Sequence, residues 1–444
     1  MEASLDRPIA GNINFCPLGV TGNAADFILE LAKHETAHAL AFASSLFAFW
    51  RDDNGNPRTP RNSNGLPMNF NVAERYYMPS PSTIQFDVTY PDWDTINGVI
   101  NHSVIHMVTP AVLREARAHF NCSSLAGMEL ENQGAAGTIV SHWEKRIMGN
   151  EAMTGELTFN PVFSRISLAA FEDSGWYDVN YTMAQDLLWG KGSGCDFPTR
   201  SCLSWINSQT DQGLPVTPYC TDMQRGCTID YEAVGKCNLI RNNPSLDYQY
   251  FTVRTDGGNV VIADYCPFQN VLTIQESGRD RGTQCNVATN QPTVNVLAEV
   301  YEQGSRCIEH GTREWTNNRY TGFSTGSGCY QYSCSATTGV TIKVSGLAYQ
   351  CSCEGEQIQF SFTDSTGASI TASLRCPACS QLCHDNLANC PTTEPASCYD
   401  RIRNVEGSTD LPVTPSIPDN RAEVTGAVAV TIFSLAALVV ATVF

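Results

Sequence analysis

Five residues, His34-Glu35-Thr36-Ala37-His38, constrain this chain more than any other feature of it. On an α-helix the two histidines stand one turn apart on the same face, so both imidazoles can reach a single Zn²⁺. The setting is helical. Residues 26–40 contain neither Pro nor Gly, and Phe27, Ile28, Leu31, Ala32 and Ala39 form an apolar stripe. Glu35 lies beside the histidine face, where a carboxylate can take a proton from water acidified by the metal. Two unrelated histidines on a helix would match the same short pattern; the uninterrupted helical context favours the metal site.

A catalytic zinc needs a third protein ligand and keeps its fourth position open. The compact metzincin pattern places Gly three residues after the second His and a third His three residues further on. Ala41 and Ser44 hold those positions, so the third ligand lies elsewhere. His142 is one candidate. It follows the small-residue run Gly134-Ala135-Ala136-Gly137 and precedes Trp143, with Met153 eleven residues on. Glu74 is the rival, a carboxylate on a second helix in the thermolysin manner. Residues 96–120 read as partly helical, with Thr109-Pro110 suited to a helix start. His102 and His106 stand at i, i+4 there, and His119 follows. No carboxylate base accompanies them, so they read as ordinary helix or surface histidines.

Cysteine usage sets the compartment. The chain has 19 cysteines in 444 residues, and 17 of them lie at or beyond Cys195. That density predicts a disulfide framework formed in an oxidising environment. Sequons at Asn101, Asn121 and Asn180 agree with export. Residues 1–26 lack a basic segment followed by an apolar one, so no signal peptide is read there, and the expectation is a chain truncated at its start. The odd cysteine count fits: Cys16 has lost a partner or is a free thiol. A net charge of −18 with no basic cluster argues against nucleic acid as a partner.

Residues 7–15 alternate weakly and predict a strand, interrupted or bulged at Gly11, just ahead of the zinc helix; there it either borders a substrate cleft and pairs with an extended peptide or is an ordinary edge strand. Residues 51–67 are rich in Asn, Asp, Gly and Pro and predict a surface loop. Beyond Cys195, short β-like runs at 250–253, 260–263, 294–301, 340–344 and 357–362 predict a β-rich, disulfide-stapled domain. Cys376-Pro377-Ala378-Cys379 reads as disulfide-forming, because no second CxxC accompanies it as a zinc ribbon requires. Gly322-Phe323-Ser324-Thr325-Gly326 matches a nucleophile elbow but lacks the strand–turn–helix setting and is set aside. Residues 426–444 carry no charge and follow a polar spacer, which fits a GPI-attachment signal; a spanning helix is the alternative.

The segments RPIAGNINFCP, HETAHALAF, ENQGAAGTIVSHW, EAM at 151–153, WGKGSGCDF at 189–197 and DYCP at 264–267 together resemble the leishmanolysin family, zinc metalloproteases of trypanosomatid surfaces. The resemblance runs in order from about residue 5 to the end. It implies one Zn²⁺ held by His34, His38 and His142, Glu35 as general base, and Met153 as the Met-turn residue packed beneath the metal. It favours His142 over Glu74. The sequence departs from the family at Ala41, where the family has Gly at the end of the zinc helix, and in lacking most of the N-terminal sheet. An Ala at positive φ would cost on the order of 1 kcal/mol.

The expected fold is α+β: a metzincin-like zinc protease catalytic domain with its N-terminal sheet largely missing, then a β-rich, disulfide-stapled domain. The expected boundaries are 1–42 (edge strand and zinc helix), 43–194 (third ligand and Met-turn), 195–404 (Cys-rich domain), 405–425 (linker) and 426–444 (hydrophobic tail). The expected function is a membrane-anchored zinc endopeptidase of the cell surface acting on peptides and proteins. The alternative is a surface adhesin on a protease scaffold that no longer cuts.

Overall fold

The computed structural model describes residues 5–13, 25–135, 137–276, 278–311, 315–317, 326–364, 366–393, 398, 442 and 443. The first long element is helix α1, Ala25–Leu40. It ends in a tight turn in which Ala41 and Phe42 both donate their N–H groups to Ala37 O, at 3.1 and 3.0 Å. Ala41 is not among the residues with positive φ, so the strain expected there is absent. The predicted strand at 7–15 reduces to Gly11–Asn12, with Phe15 outside the described residues. Gly11 crosses the end of α1 so closely that a Cβ there would stand 2.8 Å from the Ala39 Cβ.

An antiparallel sheet follows: β1 (Ile84–Thr95), β2 (Gly98–Met107) and, after helix α2 (Pro110–Phe120), β3 (Met128–Leu130), in the order β1-β2-β3. The expected helical stretch at 96–120 is therefore strand before it is helix. Val99, Ile100, Val104 and Ile105 are β-branched, and that preference is completed by pairing with residues 84–95. The β1–β2 register slips between Tyr90 and Trp93, where Pro91 cannot donate to the ladder. Thr109 is the N-cap of α2 with Pro at the first turn, as its sequence predicts. Helix α3 (Arg165–Asp173) packs on α2, and Asp173 Oδ2 accepts the Val112 N–H at 2.8 Å, satisfying a donor at the α2 start. Residues 51–67 form two turns clamped by Arg51 and Arg61 on Asp6 and by Arg58 on Asp173.

The largest apolar core begins at Ala37 and reaches Phe268, uniting Trp50, Trp93, Phe120, Trp143 and Phe197. A second core, from Leu297 to Cys390, fills the space between two antiparallel sheets. One sheet orders β4 (Ser305–Glu309), β5 (Ser327–Ser335), β6 (Gly339–Val344) and β7 (Leu347–Gln350). The other pairs β8 (Gln357–Thr363) with β9 (Ser369–Arg375) and Thr316–Asn317. The runs at 340–344 and 357–362 are thus strands. Those at 250–253, 260–263 and 294–301 are not: the first bends, Val261–Ala263 is a 3₁₀ turn running into left-handed Asp264 and Tyr265, and the third is held by Asn295 side-chain bonds to Glu299. Their apolar residues are spaced for burial in irregular chain, which periodicity does not separate from a short strand.

Among the described residues nine disulfides pair Cys122–Cys195, Cys202–Cys266, Cys220–Cys237, Cys227–Cys307, Cys285–Cys329, Cys334–Cys383, Cys351–Cys376, Cys353–Cys398 and Cys379–Cys390. Cys376 and Cys379 join different partners, as disulfide pairing without a zinc ribbon predicts. Cys16, the 322–325 part of the nucleophile-elbow match, the 405–425 linker and residues 426–441 lie outside the described residues. Among those described, no helix is long and apolar enough to cross a membrane.

The Cys202–Cys266 bond closes a loop of 64 residues within the largest core. Replacing both cysteines with Ala should destabilise the fold by about 4 kcal/mol. Denaturant titration of the oxidised protein should show a lower midpoint and a steeper slope, because the unfolded chain without this cross-link exposes more surface.

Candidate metal centre

His34 and His38 project from one face of α1, and His142 arrives on a bent segment pinned on both sides. Glu131 N–H donates to His142 O at 2.9 Å, Glu144 N–H to Glu129 O at 3.1 Å, and Trp143 N–H to Met153 O at 2.9 Å. Val140 enters this segment at φ 67°, an uncommon conformation for a β-branched residue. Ser44 N–H donates to Ser141 Oγ at 3.1 Å, tying the chain beyond α1 to the residue before His142.

The three Nε2 atoms converge. They are separated by 3.0 Å (His34 to His38), 3.1 Å (His38 to His142) and 3.3 Å (His34 to His142), and all three residues are buried. Each Nδ1 faces a backbone carbonyl: His34 that of Ala152 at 2.6 Å, His38 that of Phe42 at 2.6 Å, His142 that of Thr138 at 2.8 Å. A carbonyl only accepts, so each Nδ1 carries the proton and each neutral ring presents its Nε2 lone pair. Burial lowers the His34 pKa, burial and the neighbouring imidazoles hold His38 well below the usual range, and burial with His34 beside it pushes His142 down to about 3. Three lone pairs within van der Waals distance repel unless a cation lies among them. The donor set therefore fits a metal ion, and three neutral imidazoles with backbone partners are what zinc accepts.

Glu35 is 7% exposed on the neighbouring α1 position, and burial pushes its carboxyl up to about 7. Glu74 does not join the cluster; it stands on an exposed turn between Phe70–Asn71 and Tyr76–Tyr77, its N–H bonded to Asn71. His102 and His106 are buried strand residues, and His119 is a half-buried helix residue as its sequence predicts. His102 stacks on Trp93 at 3.9 Å, His106 bonds Tyr90 Oη at 2.8 Å, and His119 bonds Trp189 O at 2.8 Å.

Met153 is fully buried, and the carbonyl before it, Ala152 O, is the one that orients His34. This turn hangs on Glu151, which sequence reasoning passed over. Its carboxylate accepts from Met153 N at 2.5 Å, Ser164 N at 3.0 Å, Ser164 Oγ at 2.9 Å and Ser167 Oγ at 2.5 Å. Trp143 Nε1 donates to the same Ser167 Oγ at 2.9 Å, so one buried acid links the turn to the residue after His142. Phe42 acts twice: its carbonyl takes His38 Nδ1, and its ring packs on Trp143 at 4.7 Å. Gly155 closes the site, since a Cβ there would stand 2.6 Å from Thr138 Cγ2 and 3.7 Å from His142 Cγ. A buried Glu and a Gly five residues or fewer from a Met-turn carry no pattern that marks them in advance.

The peptidase M8 (Leishmanolysin) family profile matches residues 84–389, which include His142 and Met153 and lie beyond α1. The chain is 41% identical over 420 residues to the leishmanolysin-like peptidase of Drosophila pseudoobscura pseudoobscura, covering 87% of this chain and 60% of that protein. It is 38% identical over 414 residues to the leishmanolysin-like peptidase of Caenorhabditis elegans, covering 86% and 62%. Leishmanolysin of Leishmania donovani is 24% identical over 393 residues, covering 86% and 57%. The kinship thus extends from trypanosomatids, where the sequence motifs placed it, to insects and nematodes at higher identity. The chain spans about 60% of the length of these relatives. A profile match over residues 84–389, on a fold that gathers three neutral imidazoles around one point, places the chain in the leishmanolysin family of metallopeptidases.

Proposed function

We propose that the chain is a zinc endopeptidase in which His34, His38 and His142 hold the ion and Glu35 is the general base. The observation that carries this reading is the convergence of three Nε2 lone pairs, each fixed by a carbonyl behind its ring. When bound, zinc supplies Lewis acidity toward a peptide carbonyl and lowers the pKa of water.

The chain's own residues supply the rest. Glu35, next to His34 on α1, accepts the proton of the attacking water and delivers it to the departing amine nitrogen. Its raised pKa suits a group that must both take and give a proton near neutrality. Met153 and Glu151 keep the Ala152 carbonyl against His34, and Gly155 leaves room for the side chain of Thr138, whose carbonyl takes His142 Nδ1. Nine disulfides support an oxidising compartment for the reaction. Membrane attachment through the uncharged 426–444 tail remains part of this proposal. The adhesin alternative drew on Ala41 and on the missing N-terminal sheet; Ala41 sits in an unstrained turn, which removes the first ground and leaves the second.

Glu35→Gln should retain bound zinc and lose peptide hydrolysis by about 10²–10⁴-fold in kcat; full turnover in that variant removes the mechanism. Elemental analysis of His142→Ala should show loss of the zinc that a chelator removes from the parent chain, with hydrolysis lost in parallel and restored to the parent on adding zinc back. Gly155→Val should displace Thr138 and weaken zinc binding by about 10–100-fold while Glu35 is untouched, read by competition with a chelating dye.

A further inference from the structure

A second buried polar cluster is assembled from β2, β3 and the left-handed turn at Asp264. A ring nitrogen of His102 and carboxylate oxygens of Glu129 and Asp264 lie within 4.8 Å of one another. The three residues are 4%, 1% and 0% exposed. Arg146, itself fully buried, engages only one oxygen of each acid: Nη2 meets Glu129 Oε2 at 2.6 Å and Nε meets Asp264 Oδ2 at 3.0 Å. The other Asp264 oxygen accepts the Gln133 amide. Glu129 Oε1 and His102 Nε2 are left without a hydrogen-bond partner among the described residues. The His102 ring lies 3.9 Å from Trp93 at 20°, a stack that limits its freedom to turn toward one.

Charge counting points the same way. Glu131 and Glu144 bring the buried carboxylates to four, and each has an Oε2 without a partner among the described residues. Against them stand two buried cations, Arg146 and Lys145, and Lys145 is spent on the Gly149 and Glu156 carbonyls and Thr154 Oγ1. With all groups ionised, two negative charges lie in the interior uncompensated, a state that burial does not tolerate. Protons would neutralise the acids. They would not provide for His102, because no hydrogen bond joins it to either carboxylate among the described residues. A buried ring nitrogen and carboxylate oxygens gathered within 4.8 Å, with no hydrogen bond joining them among the described residues, are donors that one cation can bring together.

We propose that His102, Glu129 and Asp264 form a second divalent-cation site, distinct from the three-histidine centre, with Arg146 orienting both carboxylates from behind. An imidazole with two carboxylates suits zinc or manganese better than calcium, which prefers oxygen alone. The hydrogen-bonded carboxylates follow the usual arrangement in which a ligand's second oxygen is held by the protein.

The test is metal stoichiometry on the full chain, loaded with excess zinc or manganese, dialysed and measured by elemental analysis. The expected result is two equivalents in the parent chain and one in each of His142→Ala, His102→Phe and Glu129→Gln. His102→Phe keeps the stack on Trp93 and Glu129→Gln keeps a partner for Arg146, so each preserves packing. One equivalent in the parent, lost in His142→Ala and kept in His102→Phe, overturns the second site and leaves the three-histidine centre standing. One equivalent lost in His102→Phe and kept in His142→Ala supports the second site and overturns the first. Should His102→Phe and Glu129→Gln fail to fold, the parent and His142→Ala decide together: two equivalents falling to one support the proposal, and one falling to none overturns it. Added manganese should also raise the unfolding midpoint of His142→Ala, and an unmoved midpoint counts against the site.

Discussion

Three backbone carbonyls decide what the histidines of this protein can do. Those of Ala152, Phe42 and Thr138 each take an Nδ1 proton, and so each ring is left with its lone pair on Nε2, facing the other two. Without that constraint three buried imidazoles would interchange tautomers and bond one another. With it they are a preorganised set of donors. The carbonyls belong to three different places in the chain: the turn after α1, the Gly-rich run before His142, and the turn at Ala152 and Met153. The precision of the centre is therefore a property of how those segments are locked together.

The locks are specific. Glu151 gathers four donors, including Met153 N–H and the two serines that begin α3, and Ser167 in turn holds Trp143. Phe42 packs on that Trp, which couples the end of α1 to the third-histidine segment. Ser44 bonds Ser141 at the position where a compact metzincin would have its third ligand. About a hundred residues separate the two halves of the site, and the closure entropy of so long an insertion grows only slowly with its length. The insertion also packs into the largest core through Trp50, Trp93 and Phe120, so it is a folded layer that delivers His142, not a tether.

Much of the centre was legible in the sequence, and the reasons are local. α1 declared itself because an unbroken apolar period and the i, i+4 histidines agree. Cysteine density announced the disulfides because that many thiols in one segment have few other uses. The β-like runs were legible only in part: residues 340–344 and 357–362 are strands, while 260–263 turns left-handed at Asp264. The stretch holding His102 and His106 was read as partly helical, since i, i+4 places residues on one face of a strand as well as of a helix. Pairing with residues 84–95 chose the strand, and no periodicity encodes a partner.

By itself, then, the sequence determined the helix, the pair of imidazoles on it, the carboxylate beside them and the oxidising chemistry of the cysteines, because each depends on residues close together in the chain or on composition. The tertiary structure decided that His142 and not Glu74 completes the cluster, that Ala41 is unstrained, and that Glu151, Phe42 and Gly155 support the site. It also decided that Glu129 and Asp264 stand beside His102. These depend on which distant segments share a wall, and contacts between such segments are fixed by packing and buried hydrogen bonds that leave no periodic trace along the chain.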